Sequence, residues 1–142
     1  MYDFYRDFLL SQKEKEYDID IPKDSFDVYD LVALAYIYKR IKETDPVREA
    51  SHVVIDEAQD FGMMAYCCLH YCLRNCTYTI MGDTSQNIHF EYGLNDWEDL
   101  KKLIRTGTYD AFGLLRKNYR NTVEISEFAT EILRHGDFAI YP

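Results

Sequence analysis

Apolar side chains recur along the chain with a helical period in four stretches. Between residues 26 and 43 they return at spacings of three and four, which predicts an amphipathic helix that stops before Pro46. The same criterion predicts helices over about 63–74, around 97–104 and over about 122–133.

Short apolar runs without that period alternate with the last three helices. The runs are 52–55, 78–81 and 112–115, and the first is expected to be a strand buried on both faces. Strands that alternate with helices imply parallel pairing through helical crossovers, so we predict an α/β fold with a parallel sheet flanked by helices. Each run precedes a polar cluster, and we expect the three clusters to meet at one edge of the sheet, where ligands bind.

Composition and charge narrow the possible classes. The 142 residues are 47% hydrophobic and 29% charged, which fits one domain. The chain has no run of about 18 apolar residues, so we predict no membrane helix. The N-terminus lacks the basic-then-apolar order of a signal peptide, so we expect a cytoplasmic location and no membrane partner. The net charge of −9 has the wrong sign for a free-standing nucleic-acid binder, so most of a DNA or RNA track would lie elsewhere.

Four cysteines and a histidine lie close together and raise the question of a zinc site. They are Cys67, Cys68, His70, Cys72 and Cys76. On a helix, Cys68 and Cys76 would be about 12 Å apart along the axis, too far for one tetrahedral ion. We therefore interpret these cysteines as small packing residues.

Two adjacent carboxylates, Asp56 and Glu57, follow the first predicted strand. An acid at the tip of a buried strand is costly unless a cation matches it, and Mg²⁺ often takes one or two protein carboxylates plus phosphate oxygens. Asp56 is therefore a candidate metal ligand, and Glu57 could orient or deprotonate an attacking water. The alternative is that both acids cap the following helix. The apolar strand before them and the residues 58–60 (Ala-Gln-Asp) after them favour the metal site.

The three polar clusters resemble motifs of one known family. The segment 53–60 resembles the Walker B box, or motif II, of superfamily-one helicases of the UvrD, Rep and PcrA type. The segment 82–86 resembles their motif III, and 115–122 resembles their motif IV. The resemblance covers about residues 51–135 and implies a partial RecA-like P-loop NTPase domain.

The resemblance implies ATP and Mg²⁺ as cofactors and a role for each matching residue. Asp56 would hold Mg²⁺, and Glu57 would act on the attacking water. Gln86 would sense the γ-phosphate, Arg120 would stabilise its charge, and Tyr119 would stack on the adenine. Three further residues are expected to contact the nucleotide or couple the motifs: Gln59, Asp60 and Asp83.

The sequence departs from the family pattern in two ways. The phosphate loop Gly-x-x-x-x-Gly-Lys-Ser/Thr does not occur, so we expect a fragment that also lacks the second motor domain and hydrolyses no ATP alone. The aromatic residues that stack on single-stranded bases after motif III are offset. His89, Phe90 and Tyr92 are the candidate nucleic-acid residues there. This feature, together with the segment 93–100, resembles the helicase IV or HelD-type branch.

These observations predict three parts and leave three functions open. Residues 1–50 form a helical segment before motif II, which could end an inserted arm. Residues 51–121 form the C-terminal half of the first RecA-like motor domain, and 122–142 lead toward a second one. The functions are a DNA helicase or translocase acting on single strands or duplex junctions, an RNA-polymerase-binding remodelling ATPase, and a degenerate NTPase scaffold. If no phosphate loop were encoded upstream, the enzyme functions would fail and the scaffold would remain.

Overall fold

A computed structural model describes residues 1–13, 25–42, 45, 47, 50–88, 92–104 and 107–135. Within these residues, two parallel strands are flanked by five helices, which confirms the predicted α/β class. None of the described helices is long and apolar enough to cross a membrane. The elements are α1 (Tyr2–Lys13), α2 (Val28–Ile41), β1 (His52–Ile55), α3 (Met63–Cys72), β2 (Thr77–Ile80), α4 (Glu98–Ile104) and α5 (Val123–Arg134).

The chain divides into two compact units. The first contains Met1–Ser51 and Met64–Thr77, so it holds α1, α2 and most of α3. The second contains His52–Met63 and Tyr78–Pro142, so it holds nearly all of the sheet with α4 and α5.

Helix α2 of the first unit begins at a capping box. The carboxylate of Asp27 accepts a hydrogen bond from the backbone N–H of Asp30 at 2.8 Å, and the carboxylate of Asp30 accepts one from the N–H of Asp27 at 3.3 Å. The Tyr5 hydroxyl donates to the other oxygen of Asp30 at 2.8 Å. These reciprocal bonds satisfy backbone donors that the first helical turn leaves open, and Leu34 is the buried side chain of the helix.

The cysteines lie on or just after α3 as free, half-buried thiols. Burial, followed by the neighbouring Cys72 thiol, raises the pKa of Cys68 to about 11. That thiol is therefore protonated at neutral pH. The Cys76 thiol lies 2.7 Å from the carbonyl oxygen of Ala50, so it acts as a hydrogen-bond donor within the unit.

The two strands of the second unit pair in parallel, and the N–H of Met81 continues the ladder to the carbonyl of Ile55 at 2.8 Å. Along β1 the side chains alternate, with Val54 61% exposed and Ile55 buried. The expectation that this strand is buried on both faces is therefore wrong. Burial on both faces requires cover on both faces of the sheet, and the face that carries Val54 stays open.

The prediction of a third strand over residues 112–115 is also wrong. Residues 111–118 have no regular secondary structure, and Leu115 is fully exposed. A strand needs a neighbour to pair its backbone N–H and C=O groups, and within the described residues the sheet has only β1 and β2. Two of the three polar clusters therefore follow a strand end, and the third follows an irregular segment.

Candidate functional site

The chain turns sharply where β1 ends. Glu57 adopts the left-handed conformation (φ 50°, ψ 44°), which no other non-glycine residue in the described chain does. Such a backbone costs about 1–3 kcal/mol and persists only where its surroundings hold it. The carboxylate of Asp56 helps to hold it, because it accepts a hydrogen bond from the N–H of Glu57 at 2.9 Å. Both acidic side chains are left exposed at the end of the strand.

Gln59 joins the ends of the two strands through a single buried amide. Only 3% of the surface of Gln59 is exposed. Its Nε2 donates to Oε2 of Glu57 at 2.9 Å, and its Oε1 accepts from the N–H of Asp83 at 2.9 Å. Its backbone carbonyl accepts from the N–H of Leu94 at 2.9 Å. The Glu57 carboxylate is thus mechanically linked to the segment after β2.

Gly82 allows the two segments to approach this closely. The N–H of Ala58 donates to the carbonyl of Met81 at 2.9 Å, which brings the turn 58–60 directly against residue 82. A Cβ on Gly82 would lie 2.6 Å from Oε1 of Gln59 and 2.8 Å from the backbone nitrogen of Ala58. The glycine is therefore required by the Gln59 contact.

Asp83 organises the segment after β2. One carboxylate oxygen accepts from the N–H and the hydroxyl of Ser85 at 3.0 and 2.6 Å, and the other accepts from Nε2 of Gln86 at 2.9 Å. Burial acts to raise the pKa of Asp83, but these hydrogen bonds outweigh it and hold the pKa below its ordinary value of 3.8. Asp83 is therefore ionised at neutral pH and fixes the orientation of the Gln86 side chain.

The lowered pKa of Asp83 predicts a specific loss of stability in acid. Because the folded-state pKa lies below the unfolded one, the stabilisation is complete above the unfolded value of 3.8 and is lost as the pH falls through the folded value. Asp83→Asn should flatten the fall in unfolding free energy below about pH 4, measured by urea titration at each pH. Ser85→Ala should reduce this acid-induced fall in unfolding free energy in part. If both variants lost stability in acid as the unaltered chain does, the stabilising role of the Asp83 hydrogen bonds would be contradicted.

Asn87 and Gly93 complete this network, and neither was among the predicted site residues. Asn87 is buried, and its Nδ2 donates to Oδ1 of Asn95 at 2.8 Å and to the carbonyl of Leu94 at 3.3 Å. A Cβ on Gly93 would lie 2.3 Å from the carbonyl oxygen of Gln59. For Gly93, the available sequence signal was a glycine seven residues after Gln86. For Asn87 there was no such signal, because a single buried asparagine produces no periodic pattern of apolar residues.

The third cluster stands apart from this network in the described contacts. Tyr119 is 82% exposed, and its ring lies 4.9 Å from Nζ of Lys117. Arg120 is exposed, and its N–H donates to Oδ1 of Asn118 at 2.9 Å. No described contact joins either side chain to Gln59 or Gln86.

The candidate nucleic-acid residues fall mostly outside the described chain. His89 and Phe90 lie outside it, and Tyr92 is 47% exposed.

An open cleft of about 860 Å³ borders the segment after β2. Gly82, Asp83 and Ser85 line one side of it. Trp97 and Phe112 line another, with their ring centroids 6.4 Å apart. The polar groups of this segment are therefore accessible from an aromatic-lined space.

Comparison with known proteins gives one informative match. No protein-family model matches the chain. Over 120 residues, however, the chain is 30% identical to the ATP-dependent DNA helicase srs2 of Schizosaccharomyces pombe, and the match covers 82% of the chain. The chain is helicase-like. It spans only 13% of the length of that helicase, and the match gives no support to RNA polymerase as a partner.

The acidic pair of this helicase-like chain fits a magnesium ion bound together with a nucleotide. Asp56 and Glu57 are exposed carboxylates at a strand end, and one oxygen of each is already engaged. No group of three potential metal ligands occurs in the described residues. That donor set suits Mg²⁺, which commonly takes one or two carboxylates and completes its shell with phosphate oxygens and water.

Removing the Gln59 amide should destabilise the helicase-like chain. In Gln59→Leu, the N–H of Asp83 loses its acceptor, which costs about 1–3 kcal/mol of unfolding free energy. Urea denaturation at neutral pH measures the loss. Gln12→Leu on α1 is the control, because the hydrogen bond of Gln12 within the described residues goes to its neighbour Ser11. We expect a change within about 0.5 kcal/mol there. Equal effects in the two variants would contradict the bridging role of Gln59.

Proposed function

We propose that this chain supplies the Mg²⁺–ATP hydrolysis side of the motor site of an ATP-dependent, superfamily-one DNA helicase or translocase. The observation that carries the proposal is the buried Gln59 amide, which connects the carboxylate after β1 to the segment after β2. It couples two of the sequence clusters that resemble helicase motifs. The similarity to a DNA helicase supports the same class of activity.

In this proposal Asp56 and Glu57 have different roles in ATP hydrolysis. Asp56 holds Mg²⁺, which when bound neutralises phosphate charge and orients the nucleotide. Glu57 receives the proton of the attacking water. Its Oε2 is held by Gln59, which leaves Oε1 for that proton.

Gln86 is the proposed sensor of the γ-phosphate. Its Nε2 is fixed by Asp83, so its carbonyl oxygen is presented in a defined direction. A displacement of Gln86 would reach Glu57 through Asp83 and Gln59, which are joined in series by hydrogen bonds. Arg120 is proposed to stabilise charge on the γ-phosphate and Tyr119 to stack on the adenine, and both side chains are exposed.

The phosphate cradle is proposed to come from polypeptide outside these 142 residues. The sequence contains no Gly-x-x-x-x-Gly-Lys-Ser/Thr, and backbone N–H groups with a lysine are what hold the β- and γ-phosphates. The cleft beside Gly82, Asp83 and Ser85 offers the space for it. The 142-residue chain by itself should therefore bind ATP weakly and hydrolyse none.

The test compares ATP hydrolysis by the full-length protein with three additions: buffer, single-stranded DNA and RNA polymerase. We expect strong stimulation by single-stranded DNA and none by RNA polymerase. Stimulation by polymerase alone would replace the helicase proposal with a polymerase-remodelling ATPase. Absence of hydrolysis under all three conditions would leave a non-catalytic scaffold.

A further inference from the structure

A second cluster of side chains lies in the first unit, toward the C-terminal ends of α2 and α3. The guanidinium carbon of Arg40 lies 5.5 Å from the ring centroid of Tyr36 and 5.6 Å from that of Tyr71. The guanidinium carbon of Arg74 lies 4.3 Å from the Tyr71 centroid. The two rings meet edge to face, with centroids 5.4 Å apart. We call these four residues the arginine–tyrosine cluster.

Both arginines of the cluster are held in place but keep open donors. One N–H of Arg40 donates to the Tyr36 hydroxyl at 3.1 Å, and Nε of Arg74 donates to the carbonyl of Tyr71 at 3.3 Å. Both side chains are exposed, and within the described residues neither pairs with a carboxylate. A guanidinium has five N–H donors, so most of them face solvent.

This arrangement differs from that of the described cations in the α4 and α5 helices. There, Lys101, Lys102 and Arg134 each pair with a carboxylate three residues earlier in the chain. The whole chain carries a net charge of −9, so unpaired arginines are not explained by a shortage of acids. Two ordered guanidinium groups with no acidic partner in the described part of the chain favour an external anion.

We infer that the arginine–tyrosine cluster binds the backbone of a single-stranded nucleic acid. Each guanidinium lies beside a tyrosine ring that limits its freedom, and its planar fork of donors matches a phosphate group. Aromatic rings beside such cations suit a strand with unpaired bases, which can stack where an acidic peptide cannot. The inference rests on the proposed function only for the choice of DNA, and the contact itself requires no ATP.

The test measures binding of a fluorescently labelled oligothymidylate of about 16 nucleotides to the purified full chain by anisotropy. Arg40→Ala with Arg74→Ala should weaken binding about tenfold or more, because each arginine loses a charge-assisted phosphate contact. The slope of log affinity against log salt concentration should fall by about 1.4, since each phosphate contact on a single strand contributes about 0.7. Arg40→Lys with Arg74→Lys keeps the charge and should restore only part of the affinity.

The control is Lys102→Ala with Arg134→Ala, which changes the net charge equally at two ion-paired positions. It should alter affinity less than twofold, and thermal unfolding should show that both double variants are folded. Equal losses in the two double variants, or no binding by the unaltered chain, would overturn the inference. Competition by polyglutamate with the same loss in the arginine variant would overturn it in favour of an acidic protein partner. Because no ATP is present, failure here and failure of ATP hydrolysis are separate results.

Discussion

Glu57→Gln is expected to slow ATP hydrolysis by the full-length protein about 10²–10⁴-fold while leaving nucleotide affinity nearly unchanged. The amide is nearly the same shape as the carboxylate and can still bond to Gln59. It cannot accept the proton of the attacking water, so the loss should fall on turnover. Steady-state hydrolysis with saturating single-stranded DNA and equilibrium binding of a fluorescent ATP analogue measure the two quantities separately.

The matched control for this variant is Glu98→Gln. Glu98 is an exposed residue of α4 whose carboxylate pairs with Lys101 at 2.8 Å. The substitution Glu98→Gln therefore makes the same chemical change at a position away from Asp56 and Glu57. Its hydrolysis rate should stay within about twofold of the unaltered protein, since surface substitutions away from a site are usually nearly neutral. Undiminished hydrolysis by Glu57→Gln would remove Glu57 from the role of base.

Gly82→Ala is expected to lower the free energy of unfolding by about 1–3 kcal/mol. The added Cβ would lie 2.6 Å from Oε1 of Gln59 and 2.8 Å from the backbone nitrogen of Ala58. Neither atom can withdraw freely, because the N–H of Ala58 is bonded to the carbonyl of Met81 and the Gln59 amide bridges Glu57 and Asp83. Urea denaturation measures the change.

Gly113→Ala provides the control, because nothing lies within 4 Å of the Cβ position at Gly113. We expect its stability to stay the same or to rise by up to about 1 kcal/mol through the lower entropy of the unfolded chain. If Gly82→Ala were as stable as Gly113→Ala, the tight approach of the turn 58–60 to residue 82 would be wrong. A full-length Gly82→Ala protein should also hydrolyse ATP more slowly.

The α/β class and the positions of the helices followed from the sequence because the signals are local. Helix α3 ends two residues before the predicted limit, and α5 begins one residue later than expected. The spacing of apolar residues along a helix indicates which side chains face inward, and it can be read from the sequence without knowledge of the tertiary contacts. The two clusters at the ends of β1 and β2 were likewise predictable, since polar residues directly follow short apolar runs.

Features that depend on distant neighbours were not predictable in the same way. The run 112–115 has the apolar character of a strand, yet pairing requires a second backbone beside it. The exposure of Val54 depends on what covers the sheet, which β-branched composition does not record. The left-handed turn at Glu57 and the burial of Asn87 accompany specific hydrogen bonds, to Asp56 in the first case and to Leu94 and Asn95 in the second. Apolar periodicity does not record such bonds.

The candidate site was predicted as a set of residue types, and the structure adds a mechanical connection among some of them. The Gln59 amide hydrogen-bonds to Glu57 and to the N–H of Asp83, and its expected role in coupling motifs stays a prediction. The orientation of Gln86 by Asp83 could not be read from sequence order. The roles of all the candidate residues remain predictions. The side chains of Arg120 and Tyr119, in addition, make no described contact with Gln59 or Gln86.

A structure of the full-length protein with Mg²⁺ and a non-hydrolysable ATP analogue tests the central proposal most directly. We expect Mg²⁺ bound to Asp56 either directly, at about 2.0–2.1 Å, or through one water. We also expect the γ-phosphate beside Gln86, and Oε1 of Glu57 within about 3 Å of the position of the attacking water. A nucleotide bound elsewhere, with Asp56 and Glu57 contacting neither metal nor phosphate, would contradict it.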